Sequence, residues 1–233
     1  AEADDWPQFL GPNRTGISAE TGLIDSFPET GPQVVWRTPL GVGMANVAVT
    51  DGKVFTLLQD DTSQYVIALD EANGKQVWQT AVASRYTNGQ GNGPRATPTV
   101  SDGTVYTFTG EGVLTALNAD DGERRWAVNP AEAFKVKPAE YGMASSPLIV
   151  GDAVVVQVGA KRAAVAAYNR KDGSLLWAAG SGAAGYSSPV VMTLAGQQQI
   201  VALIGAAVMG IDPVSGETFW EFDYETEYDC NTA

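Results

Sequence analysis

The sequence predicts an all-β protein, a β-propeller of four-stranded antiparallel blades, and three observations carry that prediction. A unit ending in Trp recurs four times, every copy holds a Gly turn before that Trp, and alternating β-formers fill the intervals. In Ala68-Leu69-Asp70-Glu71-Ala72-Asn73-Gly74-Lys75-Gln76-Val77-Trp78, Asp70 lies four residues before Gly74 and Gly74 four before Trp78. The same offsets relate Asn118, Gly122 and Trp126, then Asn169, Gly173 and Trp177, then Asp212, Gly216 and Trp220. The chain holds only six Trp, so four at one fixed distance from Gly mark a repeat, and a repeat of this size sets the architecture.

The elements follow in order. Residues 1–33 mix Pro, Gly and polar residues with Trp6, Phe9, Leu10, Leu23, Ile24 and Phe27, and read as an irregular arm packed on the array with Trp6 as its anchor. Gln33-Val34-Val35-Trp36-Arg37-Thr38 looks like the last strand of a blade whose first three strands do not precede it. In closed propellers such a strand often completes the final blade. Four blades follow at about 44–80, 96–129, 145–180 and 187–223. Each opens on a hairpin, such as Thr99-Val100-Ser101-Asp102-Gly103-Thr104-Val105-Tyr106, and closes on the Gly-turn hairpin that carries the Trp. Pro98, Pro147 and Pro189 stand at the start of first strands, where no N–H is needed. One such sheet cannot bury both faces alone, so stacked blades with a Trp wedged between them are expected. Gly74, Gly122, Gly173 and Gly216, with Trp78, Trp126, Trp177 and Trp220, are therefore structural blade-docking residues. The tail from Tyr224 resembles a connection into a further blade, so the chain is expected to be an N-terminal fragment, about half of an eight-bladed ring. A closed four-bladed ring is the alternative. A half ring leaves blade faces open and predicts self-association.

Composition narrows the chemistry. A net charge of −13 and pI near 4.3 disfavour nucleic acid and anionic lipid as partners. No run approaches the ~18 apolar residues of a membrane span. The single Cys, Cys230, forms no intrachain disulfide, and the absence of His excludes every His-based triad, base or ligand set. The run Asn88-Gly89-Gln90-Gly91-Asn92-Gly93-Pro94-Arg95 lacks the Gly-Lys-Ser/Thr ending of a phosphate loop and reads as a crossing between blades. Acidic pairs at Asp60-Asp61 and Asp120-Asp121, and the group Glu225, Glu227 and Asp229, read as solvated corners and not as a calcium loop.

The Ala-Leu-Asp…Gly-x-x-x-Trp unit resembles the repeat of the PQQ-like (quinoprotein/BamB-like) β-propeller family, and the resemblance covers almost the whole chain. Asp5-Trp6-Pro7-Gln8-Phe9-Leu10-Gly11-Pro12-Asn13-Arg14 is similar to the opening of secreted bacterial members, as are Gly93-Pro94-Arg95-Ala96-Thr97-Pro98 and Ala184-Gly185-Tyr186-Ser187-Ser188-Pro189. The resemblance implies export to the periplasm or outside the cell. It also implies one of two functional types: PQQ-dependent dehydrogenases, which hold PQQ and calcium, or non-catalytic binding and assembly propellers. No Asp or Glu matches the catalytic positions and the vicinal Cys pair is absent, so no catalytic, cofactor-binding or metal residue is carried over. The expectation is a non-catalytic scaffold for a protein or peptide partner in the cell envelope, with no cofactor. A fragment of a PQQ-dependent enzyme and a carbohydrate-binding propeller are the alternatives. Long crossings at 81–95, 129–144 and 181–186 share one face, and loops on a rigid scaffold carry function. From them Arg95, Tyr141, Tyr186, Asn92 and Arg85 are the candidate partner-binding residues, because interface anchors favour Tyr and Arg. Arg95 ranks first, standing just before an inner strand near the central channel.

Overall fold

Runs of Val, Ile, Thr and aromatic residues between turns form strands, because such side chains fit a pleated, half-buried surface. The computed structural model describes residues 4–227. Blade one contains β1 (Ala48–Thr50), β2 (Lys53–Gln59), β3 (Ser63–Asp70) and β4 (Gln76–Ser84). Blade two contains β5 (Thr99–Ser101), β6 (Thr104–Phe108), β7 (Leu114–Asn118) and β8 (Arg124–Val128), followed by a one-turn helix α1 (Pro130–Ala133). Blade three contains β9 (Leu148–Val150), β10 (Ala153–Ala160), β11 (Ala163–Asn169) and β12 (Leu175–Ala179). Blade four contains β13 (Val190–Leu194), β14 (Gln197–Leu203), β15 (Ala207–Ile211) and β16 (Thr218–Asp223). Each blade is one four-stranded sheet with its strands in sequence order and antiparallel, as expected.

The repeated turn builds itself from local chemistry. Asp70 Oδ1 accepts from the Ala72 and Asn73 amides, and the Gly74 amide donates to the Asp70 carbonyl. Asp212 does the same for Val214 and Ser215, while Asn118 and Asn169 each hold one amide two residues on. The Gly at each corner has φ between +68° and +75°, where an L side chain is strained. One residue beyond each turn the register slips: Ala68 faces Trp78 but Leu69 faces Gln76, so Val77 is an unpaired bulge. Arg125, Leu176 and Phe219 occupy the same bulge in the other blades.

The Trp then joins one blade to the next. Trp78 is 7% exposed, its indole N–H donates to the Ala119 carbonyl at 3.0 Å, and its ring covers Gly122 of blade two. A Cβ on Gly122 would lie 2.5 Å from that ring. Trp126 repeats this on Arg170 O and Gly173, and Trp177 on Pro213 O and Gly216. Gly is therefore required twice over, for its φ and for the absent Cβ. Around these wedges three apolar clusters fill the interfaces of blades one and two (Phe55, Val66, Val105, Leu117), two and three (Tyr106, Phe108, Val156, Tyr168), and three and four (Val155, Val165, Ile200, Met209).

The two ends of the row differ. Ahead of blade one, Trp36 is no part of a strand, yet it seats on Gly74 and donates to the Glu71 carbonyl at 2.7 Å as the other indoles do. With Tyr65 it packs on Val54, Leu58, Ile67 and Leu69. On blade four, the Trp220 indole donates to Gln199 of its own blade at 2.7 Å. It occupies the space that the methyl of Ala68, Ala116 or Ala167 fills elsewhere, because its cross-strand partner is Gly210. Phe222 and Met192 remain exposed there. The tail beyond Glu227, with Cys230 and Asp229, lies outside the described residues.

The arm crosses the inner strands of all four blades. Trp6 bridges Val49 in β1, and the Val100 amide of β5 donates to the Pro7 carbonyl. The Arg14 guanidinium donates to Gln8 Oε1, to the Pro147 carbonyl before β9 and to the Pro189 carbonyl before β13. Trp6 also closes the arm on itself by packing on Gly11, whose φ is +80°.

Candidate functional site

Antiparallel strands place the β2–β3 type hairpins and the crossings between blades at one end of the row. The β1–β2 and β3–β4 turns lie at the other. The sequence-derived residues belong to the crossing end. Buried glutamines fix the crossings there: Gln59 Oε1 accepts from the Tyr86 amide, and Gln157 Oε1 accepts from the Gly185 amide while its amide group donates to Ser187 and Leu203 carbonyls. α1 begins at Asn129, whose side chain accepts from the Glu132 amide, with Pro130 in its first turn.

Arg95 is half-buried and locked. Nη1 donates to Gly93 O at 2.9 Å and Nη2 to Gly91 O at 2.7 Å, and the guanidinium stacks 5.1 Å from the centre of the Tyr86 ring. Desolvation lowers its pKa from the usual value. Gly110 and Gly142 approach this pair so closely that a Cβ on either would meet Tyr86 or Arg95. Asn92 braces the same loop, accepting from the Asn88 amide at 3.1 Å. Tyr141 and Tyr186 stack with centroids 5.5 Å apart, and the Tyr141 amide donates to the Tyr186 hydroxyl at 3.1 Å. Tyr186 also lines a cleft of about 260 Å³ with Lys137, Pro138, Glu140, Val158 and Ala183. The structure thus brings Arg95, Tyr86 and Asn92 into one cluster and Tyr141 with Tyr186 into another. Arg85 belongs to neither; it is exposed and lies 3.8 Å from Asp61 at the β2–β3 hairpin.

Two further features of the structure carry little sign in the sequence. Thr97, Ser146 and Ser188, read only as strand starts, form a relay: the Thr97 amide donates to Ser146 Oγ and the Ser146 amide to Ser188 Oγ. The repeated hydroxyl-Pro step was the available signal. Arg14 is 8% exposed, and burial brings its pKa down to about 10. A lone Arg in an irregular arm carries no periodic mark. Among the described residues, no three Asp, Glu or Cys side chains converge as a metal ion would require, and no helix is long and apolar enough to cross a membrane.

The repeated sequence matches the family described as Outer membrane protein assembly factor BamB, over residues 20–177 and again over 62–227. The chain belongs to this family. The two matches overlap and are offset by one repeat, as an array of similar blades allows. The BamB of Shewanella oneidensis is 29% identical over 157 residues, covering 63% of this chain and 36% of that protein. The Escherichia coli K12 protein is 34% identical over 121 residues, covering 49% and 28%. The Yersinia pestis protein is 29% identical over 190 residues, covering 74% and 44%. The chain thus spans less than half the length of these relatives. Among solved structures, quinohemoprotein alcohol dehydrogenase from Comamonas testosteroni superimposes with a TM-score of 0.64 at 17% identity, over 94% of this chain and 41% of that one. BamB from Moraxella catarrhalis gives 0.51 at 16%, over 80% and 65%. At these identities the likeness establishes the propeller fold, shared by an oxidoreductase and an assembly factor alike.

Proposed function

We propose that this chain is a non-catalytic propeller of the bacterial cell envelope that binds a protein partner in outer-membrane protein assembly. The observation that carries the reading is the family match over most of the chain. The geometry supports it. The repeated Trp side chains seat on bare Gly of the next blade, Asp and Asn brace the turns that present that Gly, the arm runs along the inner strands, and the crossing end offers a stacked Tyr pair beside a cleft. A rigid scaffold that presents aromatic side chains on anchored crossings suits recognition of another protein. The reading includes no cofactor and a location on the periplasmic side. It also treats the chain as part of a larger ring of eight blades: Trp36 seats as a preceding blade's Trp would, and blade four leaves Phe222 and Met192 exposed where a further blade would fit.

The test is complementation. In a bacterium lacking the gene, the wild-type gene restores the level of folded outer-membrane β-barrel proteins, and Tyr141→Ala restores it poorly although the purified variant keeps its melting temperature. Oxidation of alcohols by the purified protein with PQQ and calcium would contradict the reading and favour the quinoprotein alternative.

A further inference from the structure

The four blades allow an internal comparison. A position filled alike in every blade belongs to the scaffold, and a departure in one blade has another cause. At the outer-strand bulge, blades one, three and four carry Val77, Leu176 and Phe219, but blade two carries Arg125. The carbonyl that receives the neighbouring indole N–H belongs to Glu71, Ala119 and Pro213 in three blades, and to Arg170 in blade three. The residue after it is Ala72, Asp120 or Val214 in those blades, and Lys171 in blade three. All three departures are cationic, in a chain of net charge −13 with only 14 Lys and Arg. They converge on one cleft of about 340 Å³ between blades two and three, at the end opposite the crossings, with Asp102, Thr104, Tyr106 and Asp152.

The neighbouring grooves do not repeat this. Between blades one and two, Lys53 is paired with Asp120 at 3.0 Å. Between blades three and four the corresponding residues are Ala153, Leu176, Pro213 and Val214. Within the cleft, Arg170 is held by Asp102 at 2.7 Å and by Ser101 Oγ at 3.1 Å. Among the described residues Arg125 donates only to neutral acceptors, Thr104 Oγ1 at 2.7 Å and Gly103 O at 3.1 Å. Among the described residues neither Arg125 nor Lys171 has a carboxylate partner. A bulge re-aims its side chain away from the ladder, and here it presents a guanidinium whose neutral bonds fix its position but leave its charge unbalanced.

We propose that this cleft binds the carboxylate of an acidic peptide segment on a protein partner, with Arg125 and Lys171 as the binding cations and Arg170 as the ordered wall between them. The charge count selects the ligand. Three cations against Asp102 and Asp152 leave one net positive charge, which a single carboxylate matches and a phosphate, with about two negative charges, overfills beside two acids. The site lies at the end away from Tyr141 and does not depend on the crossings.

The test uses the full chain and a fluorescein-labelled hexapeptide containing three Glu, with its Gln counterpart, followed by anisotropy. Wild type binds the Glu peptide and not the Gln peptide, and added salt weakens binding. Arg125→Gln and Lys171→Gln each raise Kd about tenfold or more, the scale of one charge-assisted hydrogen bond, while Tyr141→Ala leaves it unchanged. Lys171 is exposed and, among the described residues, its ammonium makes no hydrogen bond or ion pair while only its main-chain amide is held by Asn169, so Lys171→Gln carries the test even if Arg125→Gln fails to fold. No binding, equal binding of the Gln peptide, unchanged Kd in Lys171→Gln, or displacement by inorganic phosphate more strongly than by acetate would each overturn the proposal. Loss in Tyr141→Ala alone would instead place acidic peptides at the crossing end.

Discussion

Tyr168 buries a hydroxyl that has no partner among the described residues, and burial pushes its pKa up to about 12. The unfolded chain ionises near the ordinary value of about 10. Stability should therefore fall as pH rises from about 10 to about 12, because the unfolded state loses the proton first. Tyr168→Phe should abolish that alkaline loss and, by removing an unsatisfied group, leave stability at pH 7 equal or raised by about 1 kcal/mol; denaturant midpoints at neutral and alkaline pH check both. The turn acids carry the opposite sign. Backbone and hydroxyl donors hold Asp60, Asp172 and Asp212 below the usual carboxylate range. Their contribution is present above about pH 4 and is lost as pH falls. Asp212→Asn keeps the acceptor, as Asn118 and Asn169 already do, and should flatten the acid limb of a stability-against-pH curve.

Elements were legible in proportion to their periodicity. The four Gly–Trp hairpins could be read because a strained corner admits few residues besides Gly, and because one indole must serve each interface. The arm was legible only as an anchored irregular segment. Its path along four inner strands depends on main-chain carbonyls at Pro147 and Pro189, which leave no trace in side-chain pattern. Of the candidate site, residue types were readable but partners were not: Arg95 spends its donors on Gly91 and Gly93, and Arg85 faces Asp61. The arm makes its own prediction. Arg14→Ala removes two charged hydrogen bonds to blades three and four, so the arm should loosen from that end. Amide exchange at Val49 and Val100, which donate to Trp6 and Pro7, should speed up about tenfold or more while the mid-strand amides of β6 and β10 keep their protection.

At the scale of the whole molecule, the protein is a row of sheets held by one wedge per interface, and among the described residues nothing covers the outer face of blade four. Phe222, 65% exposed, should drive concentration-dependent association of the isolated chain, and Phe222→Glu should shift its sedimentation toward the monomer. Trp78, Trp126 and Trp177 each need the bare Gly of the next blade, and the stacking of the blades rests on that. A double-mutant cycle between Trp78 and Gly122 tests it most directly, read from urea unfolding. Gly122→Ala should cost about 2–4 kcal/mol, from the strained φ plus the collision with the ring. In a Trp78→Leu background the same change should cost about 1–2 kcal/mol, mainly the φ strain, because the one other atom the Cβ would meet closely is the hydroxyl of Thr80, which can shift. The predicted result is a coupling of more than about 1 kcal/mol between two residues on different blades. Additive costs would contradict the account.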